Sequence, residues 1–397
     1  MVYMLKDVLK RLLPHQLKML LSALREAVGF YPHYVMGNGA ARPPESVTIE
    51  ITYLCNCRCQ MCPLYGSHTH DGSRIKKEST NKRELTAAEY KELFNGLRGG
   101  GVKRVAFTGG EPFIRSDMLE IAGYAADLGL EISFTTNGAL ITKAIAKSLV
   151  DLRVQSIYFS LDGTEETHNN IRKAEVYKRL LEAVDFINEE KKLRGRTEPS
   201  ISFGCTVSRL NENNFSELVK IAKDKNAFLN IAPVFFSSEE ETESTLKFFP
   251  GEKFIKLEDK SLPDSVIGTD IDTLYNETKR AISLAGIFRQ PIQIILKKRG
   301  EIARWFGKGS YFPANKCFFP WSDARIDPFG TVYPCSISLP MGDIRSDPFM
   351  KIWNDRRYRE FRKKLKDEKL FPSCSRCCTL FPNTPHKFWS YFPKIGR

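Results

Sequence analysis

From residue 47 onward, short apolar runs alternate with longer amphipathic segments. The runs predict six strands, over 47–54, 103–109, 130–138, 154–163, 200–207 and 228–236. The segments between them predict helices, over 85–101, 116–129, 142–151, about 174–193 and 213–225, and Thr86 and Glu89 predict a capping box at the start of the first. Strands that alternate with helices indicate parallel βαβ units, so we expect an α/β fold with its chemistry in the loops after the carboxyl ends of the strands.

Between residues 237 and 316 this alternation is lost. The acidic stretch SSEEETEST (237–245) is interpreted as an exposed loop, and helices are expected over 270–286 and 300–309. Beyond residue 316 the chain is rich in Cys, Pro and aromatic residues, with little helical periodicity. The predicted division is an N-terminal amphipathic helical extension, a partial barrel, a connecting segment and a small Cys-rich domain with a tail, over residues 1–45, 46–236, 237–316 and 317–397.

Composition narrows the class of protein. Of 397 residues, 42% are hydrophobic, and 60 basic against 47 acidic residues give a net charge of +13, which favours acidic partners. No motif of an RNA- or DNA-binding module is present, so no nucleic-acid partner is expected. The leucine-rich N-terminus is interrupted by charges, which predicts neither a signal peptide nor a membrane-spanning helix. We therefore expect a cytoplasmic protein, in which disulfides are disfavoured.

The stretch CNCRCQMC (55–62) places four cysteines within eight residues, directly after the first predicted strand. Cys55, Cys59 and Cys62 have the spacing C-x3-C-x2-C, which can hold three irons of a cubane and leave the fourth open to a substrate. Zinc is the alternative, although zinc sites usually add a second cysteine pair. Cys57 occupies a spacer position and is interpreted as a bystander.

Four further motifs follow in order along the chain: TGGEP (108–112), TTNG (135–138), SLDG (160–163) and Arg172. Together with residues 55–62, named here the cysteine loop, these motifs resemble those of the radical S-adenosylmethionine (radical SAM) enzymes. The resemblance implies that the GGEP stretch holds the methionine amino group, that SLDG contacts the ribose, and that Arg172 pairs with the methionine carboxylate. In the family, the residue at the position of Met61 is often aromatic and lines the adenine of S-adenosylmethionine. The implied cofactor-binding residues are Met61, Thr108, Gly109, Gly110, Glu111, Pro112, Asn137, Ser160, Asp162 and Arg172.

The resemblance also implies a fold and a reaction. The fold is a partial (β/α)6 TIM barrel over roughly 46–236. The 4Fe–4S cluster would bind S-adenosylmethionine and cleave it reductively to a 5′-deoxyadenosyl radical, which abstracts hydrogen from a substrate. A flavodoxin or ferredoxin would supply the electron. The substrate class stays open among peptide, sugar-like molecule, nucleotide and lipid, and no general acid or base is assigned.

The C-terminal part contains CFFPWSDARIDPFGTVYPC (317–335) and CSRCC (374–378). This pattern resembles the auxiliary-cluster domain of the family, called SPASM in its full form and twitch in its short form. It implies one auxiliary 4Fe–4S cluster in electron transfer, with Cys378 spare or replacing Cys377, and the ligands Cys317, Cys335, Cys374 and Cys377. A four-cysteine zinc site of the same spacing is the alternative. Cys205, inside a strand, is interpreted as a small core residue.

Several interpretations stay open. A non-catalytic iron–sulfur or zinc scaffold that binds a partner is the competing function. The polar segment 66–84, with His68 and His70, is a solvated loop or a lid, and His168 faces the site or the surface. The leucine-rich N-terminus and the aromatic, basic C-terminus KFWSYFPKIGR (387–397) either cover the barrel or lie peripherally on an anionic lipid surface.

Overall fold

The structure, a computed structural model, describes residues 31–62, 83–251, 262–337 and 339–380. The described residues form one ten-stranded sheet flanked by helices. The strands, in chain order, are β1 Ser46–Thr52, β2 Arg104–Gly109, β3 Glu131–Thr136, β4 Ser156–Ser160, β5 Ser200–Val207, β6 Phe228–Pro233, β7 Ile292–Ile294, β8 Asp323–Ile326, β9 Thr331–Tyr333 and β10 Gly342–Asp343. Their order across the sheet is β10-β9-β8-β1-β2-β3-β4-β5-β6-β7.

Helices connect these strands. They are α1 Ala87–Gly99, α2 Met118–Asp127, α3 Lys143–Asp151, α4 Glu165–Arg172, α5 Tyr177–Leu193, α6 Phe215–Asp224, α7 Glu239–Leu246, α8 Asp264–Ile267, α9 Ile271–Phe288, α10 Arg299–Phe306, α11 Phe319–Ser322, α12 Phe349–Trp353 and α13 Arg356–Asp367. The capping box predicted at the start of α1 is present, because the Thr86 hydroxyl accepts from the Glu89 N–H and the Glu89 carboxylate accepts from the Thr86 N–H.

The six predicted strands pair in parallel, each with the next along the chain. Their cores are apolar and fully buried, as in β1, where Val47, Ile49 and Ile51 have no exposed surface. The residues between them, such as Thr48 and Glu50, are only half-buried, and the other five strands show a similar alternation, so one face of the sheet is fully buried and the other is more open. The prediction of consecutive βαβ units is confirmed.

The sheet is wider than predicted. β7 pairs in parallel with β6, and β8 pairs in parallel with β1, so strands from the connecting segment and the Cys-rich region extend both sides of the six-stranded unit. β9 and β10 then continue antiparallel to β8. Three-residue and four-residue strands are too short for their periodicity to mark them in the sequence.

Two expectations about local structure were wrong. The acidic stretch 237–245 is not an exposed loop, because its residues from Glu239 onward form α7, which begins with a capping box between Ser238 and Glu241. The region after residue 316 contains the twelve-residue helix α13. Its apolar residues, Tyr358, Phe361 and Leu365, have helical spacing, but the many basic residues between them make this pattern hard to detect in the sequence.

The predicted helix over about 174–193 is shorter than expected, and a separate helix precedes it. α4 ends at Arg172, where Lys173 takes a left-handed conformation with φ of 52°, and α5 begins at Tyr177. This break places the carboxyl end of α4 beside the cysteine loop. The predicted helices 270–286 and 300–309 correspond to α9 and α10.

Residues 31–42 pack against the C-terminal part of the chain. The Tyr34 ring lies 4.7 Å from that of Phe318 and 5.1 Å from that of Trp321, both centroid to centroid. The Arg362 guanidinium donates to the Gly39 carbonyl at 3.1 Å. The proposed amphipathic segments before residue 31 and after residue 380, and the polar segment 66–82, lie outside the described residues.

Candidate active site

The loops after β1, β2 and β3 meet at one edge of the sheet. The Glu111 N–H donates to the Leu54 carbonyl at 2.8 Å, which joins the end of β2 to the start of the cysteine loop. The Asn137 side-chain amide donates to the Asn56 side-chain oxygen at 2.7 Å, which joins the end of β3 to the same loop. Motifs separated by about eighty residues in the sequence therefore form one surface around the cysteines.

The two glycines of the GGEP motif allow two backbones to approach each other. A Cβ on Gly109, whose φ is +127°, would lie 2.4 Å from the Thr52 carbonyl oxygen. A Cβ on Gly110 would lie 2.1 Å from the Leu54 carbonyl oxygen. Any larger residue would displace the chain that leads into the cysteine loop. The glycines are thus needed for the internal packing of this edge.

The Glu111 carboxylate is fully buried and joins β2 to β3. One oxygen accepts from the Thr136 hydroxyl at 2.7 Å and from the Phe113 N–H at 3.3 Å, and the other accepts from the Asn137 N–H at 2.7 Å. Burial raises the pKa of Glu111 to about 7, although these hydrogen bonds oppose the shift. Its side chain therefore fixes the loops of this site from inside.

The thiols of the cysteine loop form a cluster of their own. Cys57 and Cys59 are buried, and Cys55 and Cys62 pack against them. A hydrogen bond with the Cys57 thiol lowers the pKa of Cys59 to about 6 and also lowers the pKa of Cys55, while the pKa of Cys57 itself is raised. Thiolates are the form of cysteine that binds metal. Cys55 and Cys59 thus fit a metal-binding role, and the Cys57 N–H donates to the Cys55 sulfur at 3.4 Å.

Among the described residues, no three His, Cys, Asp or Glu side chains are arranged to hold a single metal ion. The ligands of a cubane do not surround a single ion, because each thiolate binds a different iron. The fit of the cysteine loop to a cluster therefore depends on the packing of its thiols and on the lowered pKa values of Cys55 and Cys59.

The cysteine loop is seated on the carboxyl end of α4. The Arg58 N–H donates to the Arg172 carbonyl at 2.9 Å, and the Gln60 N–H donates to the Ile171 carbonyl at 3.1 Å. The Arg172 guanidinium donates to the Cys59 sulfur at 3.5 Å. Since the last carbonyls of a helix have no partner within the helix, the loop satisfies them and is held in place.

Arg172 forms a buried ion pair with Asp162, between Nη2 and Oδ2 at 2.5 Å. The Asp162 side chain is fully buried, and its other oxygen accepts from the Thr206 N–H at 3.1 Å. The Asp162 N–H donates to Nδ1 of His168 at 3.2 Å. His168 itself is fully buried, so it lies neither at the surface nor in the open part of the site. Burial lowers its pKa to about 4.

The other predicted cofactor contacts lie at or near the same edge. Met61 and Pro112 are buried, whereas Thr108 and Ser160 are half-buried at the ends of β2 and β4. Cys205, predicted as a core residue, is buried in β5 beside Asp162, where its thiol lies 4.0 Å from the Asp162 carbonyl oxygen.

The structure also brings four cysteines of the C-terminal region together. Burial raises the pKa of Cys317 well above its ordinary value, and negative charge on the neighbouring cysteines raises it further. Those neighbours are Cys374, Cys377 and Cys335. The Cys377 N–H donates to the Cys374 carbonyl at 3.3 Å, as in a tight CxxC turn. Four neighbouring thiols suit a second iron–sulfur cluster, in which each thiolate binds a different iron and the positive charge of the irons offsets that of the thiolates.

An ion pair that the sequence did not reveal holds the CxxC turn. Arg376, between Cys374 and Cys377, pairs with Glu241 of α7 at 3.3 Å, and both side chains are buried. Its guanidinium also donates to the Trp305 carbonyl at 2.7 Å. The Ser238–Glu241 capping box is the signal in the sequence that could have identified the helix, although not the partner of its glutamate.

The described part of the chain contains no helix that is both long enough and apolar enough to cross a bilayer.

Comparison with known proteins agrees with this arrangement. Residues 49–222 match the model of the radical SAM superfamily, and residues 317–378 match that of an iron–sulfur cluster-binding domain, SPASM. An AdoMet-dependent heme synthase of Methanosarcina barkeri is 27% identical over 84% of this chain and 88% of its own length. The mycofactocin maturase MftC of Mycolicibacterium smegmatis is 24% identical over 84% of this chain and 75% of its own length.

A crystal structure of Streptococcus suis SuiB bound to the precursor peptide SuiA shows the same fold. It superposes with a TM-score of 0.58 at 14% identity, over 83% of this chain and 69% of SuiB. The predicted fold class, a partial (β/α)6 barrel with a small C-terminal Cys-rich domain, is confirmed.

Proposed function

Because this chain belongs to the radical SAM superfamily of enzymes and carries a C-terminal SPASM domain, we propose that it abstracts hydrogen from a substrate and passes an electron through its auxiliary cluster. Membership of an enzyme family argues against the competing interpretation of a non-catalytic scaffold. The observation that carries the proposal is the convergence of the cysteine loop, the GGEP loop and Arg172 at one edge of the sheet.

Cys55, Cys59 and Cys62 are the proposed ligands of the cluster that binds S-adenosylmethionine. When bound, this cluster supplies the electron that cleaves S-adenosylmethionine reductively and so generates the radical. The protein residues hold and shield that centre. The lowered pKa of Cys59 keeps this thiol in its ligating form near neutral pH, and Cys57 supports it as a hydrogen-bond donor.

The residues of the GGEP loop and the ends of β3 and β4 are proposed to bind S-adenosylmethionine. Glu111 has its carboxylate committed to Thr136, Phe113 and Asn137, so we assign contact with the methionine amino group to the backbone of this loop. Arg172 keeps its proposed role towards the methionine carboxylate. Asp162 is fully buried, and we assign it an indirect role, in which it orients Arg172.

Cys317, Cys335, Cys374 and Cys377 are the proposed ligands of the auxiliary cluster. Four thiolates close the coordination of a cubane, and a closed cluster suits electron transfer better than direct substrate binding. A flavodoxin or ferredoxin is the proposed reductant. Both are acidic electron donors as a class, and the net charge of +13 favours an acidic partner.

Several classes of substrate are open, and similar proteins indicate which of them to test first. A heme synthase and the mycofactocin maturase are similar to this chain over more than four fifths of its length, and SuiB, which has the same fold, binds a precursor peptide. We therefore propose a heme precursor or a peptide as the first substrates to test. Sugar-like and lipid substrates come after these.

The test is anaerobic reconstitution with iron and sulfide, followed by incubation with S-adenosylmethionine, a reductant and each candidate substrate. We expect 5′-deoxyadenosine and methionine in equal amounts, and a mass change in one substrate. A variant with alanine in place of Cys55, Cys59 and Cys62 should form neither. A variant with alanine in place of Cys374 and Cys377 should still form 5′-deoxyadenosine but should lose the modified product. Absence of 5′-deoxyadenosine from the fully loaded protein would contradict the proposal.

Peripheral membrane contact is a separate proposal, supported by the basic, leucine-rich N-terminal sequence. Sedimentation with anionic liposomes should show binding that high salt weakens, because salt screens surface charge. The comparison is a chain that begins at Tyr31, since residues 31–42 pack against the C-terminal region and should be kept. Equal binding by both chains, or binding by neither, would contradict the proposal.

A further inference from the structure

The guanidinium of Arg172 lies between a buried carboxylate and the Cys59 sulfur. Nη2 is 2.5 Å from Oδ2 of Asp162, and Nη1 is 3.5 Å from Sγ of Cys59. The Arg172 side chain is 11% exposed and that of Asp162 is not exposed at all. Water therefore screens these charges little, and their effect on the sulfur is strong.

Both members of this pair are fixed in place. Thr206 donates to the second oxygen of Asp162 at 3.1 Å, and the Asp162 N–H donates to Nδ1 of His168 at 3.2 Å. The Arg172 backbone accepts a hydrogen bond from the Arg58 N–H at 2.9 Å. A guanidinium anchored at its backbone and at one nitrogen holds its other nitrogen against the thiolate.

A cation that donates a hydrogen bond to a cluster-ligating thiolate stabilises the more negative, reduced state of the cluster. A carboxylate behind that cation offsets part of its charge and so favours the oxidised state. The pair at Cys59 contains both groups. Its net effect on the cluster depends on the balance between the nearer cation and the more distant anion.

We propose that Arg172 and Asp162 act as an opposed charge pair that sets the reduction potential of the cluster held by Cys55, Cys59 and Cys62. This role is separate from any contact with S-adenosylmethionine, and it rests on the proposed assignment of Cys59 as a ligand. The equilibrium concerned is a one-electron reduction, in which the oxidised cluster accepts one electron from an external reductant. No bond to Arg172 or Asp162 forms or breaks, and neither residue exchanges a proton.

The experiment is a potentiometric titration of the reconstituted protein without S-adenosylmethionine, followed by the EPR signal of the reduced cluster. Arg172→Met should lower the ratio of reduced to oxidised cluster about tenfold at a given potential, which is a shift of about 59 mV to lower potential for one electron. Asp162→Asn should shift the potential in the opposite direction, because it removes the anion and keeps the guanidinium. Arg172→Lys should lie between Arg172→Met and the unchanged protein.

Two controls separate this effect from general damage. Arg58→Met removes a cation from the same loop, but the Arg58 side chain is exposed and donates to the carbonyls of Cys55 and Cys57. Because water screens this charge, Arg58→Met should shift the reduction potential much less than Arg172→Met does. The potential of the auxiliary cluster in each variant is the second control and should not change.

The proposal is overturned if Arg172→Met and Asp162→Asn shift the potential in the same direction, or if neither shifts it. A shift in Arg58→Met as large as that in Arg172→Met would also overturn it. If Arg172→Met fails to assemble the cluster, Asp162→Asn decides alone, and an unshifted potential in that variant refutes the proposal. Failure of the proposed function differs from all of these, because the unchanged protein would then give no EPR signal that depends on Cys55, Cys59 and Cys62.

Discussion

Replacing Arg376 by Met should loosen the CxxC turn of the proposed auxiliary cluster. Arg376 is 4% exposed and its partner Glu241 is 6% exposed, so the substitution leaves a buried carboxylate without its cation. Breaking a buried ion pair at one partner costs about 3–5 kcal/mol. The carbonyls of Trp305 and Gly307 also lose a donor, while the Ser310 hydroxyl remains on Glu241 at 2.6 Å.

Hydrogen exchange of the cluster-loaded protein, followed by mass spectrometry, measures this effect locally. The Arg376 N–H donates to the Tyr311 carbonyl at 2.8 Å, and the Ser373 N–H donates to the Thr245 hydroxyl at 2.8 Å. Each 1.4 kcal/mol corresponds to a factor of ten, so exchange in this turn should accelerate roughly a hundredfold or more. Equal iron contents before exchange show that the comparison is between loaded proteins.

A matched control and a double variant decide the cause. Arg299→Met breaks a two-point pair with Asp272 in the same connecting segment, but both side chains are more than half exposed, so the change should be small. Arg376→Met combined with Glu241→Met should recover much of the protection, because no buried charge is left without a partner. Exchange that accelerates less than about fivefold in Arg376→Met, or no recovery in the double variant, would refute this reasoning.

Three further predictions follow from the site. Anaerobically reconstituted protein should contain about eight irons, two cubanes, and a variant without Cys55, Cys59 and Cys62 should contain about four; a value near zero, or no loss, would contradict the ligand assignment. Arg172→Ala should weaken S-adenosylmethionine binding by roughly 1.5–3 kcal/mol, measured by equilibrium dialysis of the loaded protein, whereas unchanged affinity would remove Arg172 from the pocket. His168, with its pKa lowered to about 4, should contribute stability above pH 6.5 that is lost as the pH falls towards 4, because the unfolded chain binds a proton there that the folded chain does not. His168→Gln should therefore show a flatter dependence of its melting temperature on pH over that range, and an unchanged slope would contradict the buried, neutral histidine.

Elements that depend on local patterns could be predicted from the amino-acid sequence. Apolar runs alternating with amphipathic segments identified the six central strands, because each strand carries a row of buried apolar residues and each helix between them has one apolar face. Cysteine spacing identified the first thiol set, because its members lie on one short loop, whereas the second set is spread over residues 317–377 and was identified through the family resemblance. The Thr86–Glu89 capping box marked the start of α1, because a helix leaves its first N–H groups without internal partners.

Contacts between residues far apart in the chain became visible only in the folded protein. Nothing near Glu241 in the sequence indicates that its carboxylate meets Arg376, 135 residues away, so the acidic stretch by itself predicts an exposed loop. The GGEP glycines show their reason only when Thr52 and Leu54 are seen against them. Likewise, Asp162 is a predicted site residue and His168 lies near Arg172 in the sequence, yet both side chains are fully buried and support the site from inside. Such pairings depend on the closure of long loops and on burial, and the periodicity of a single segment reports neither.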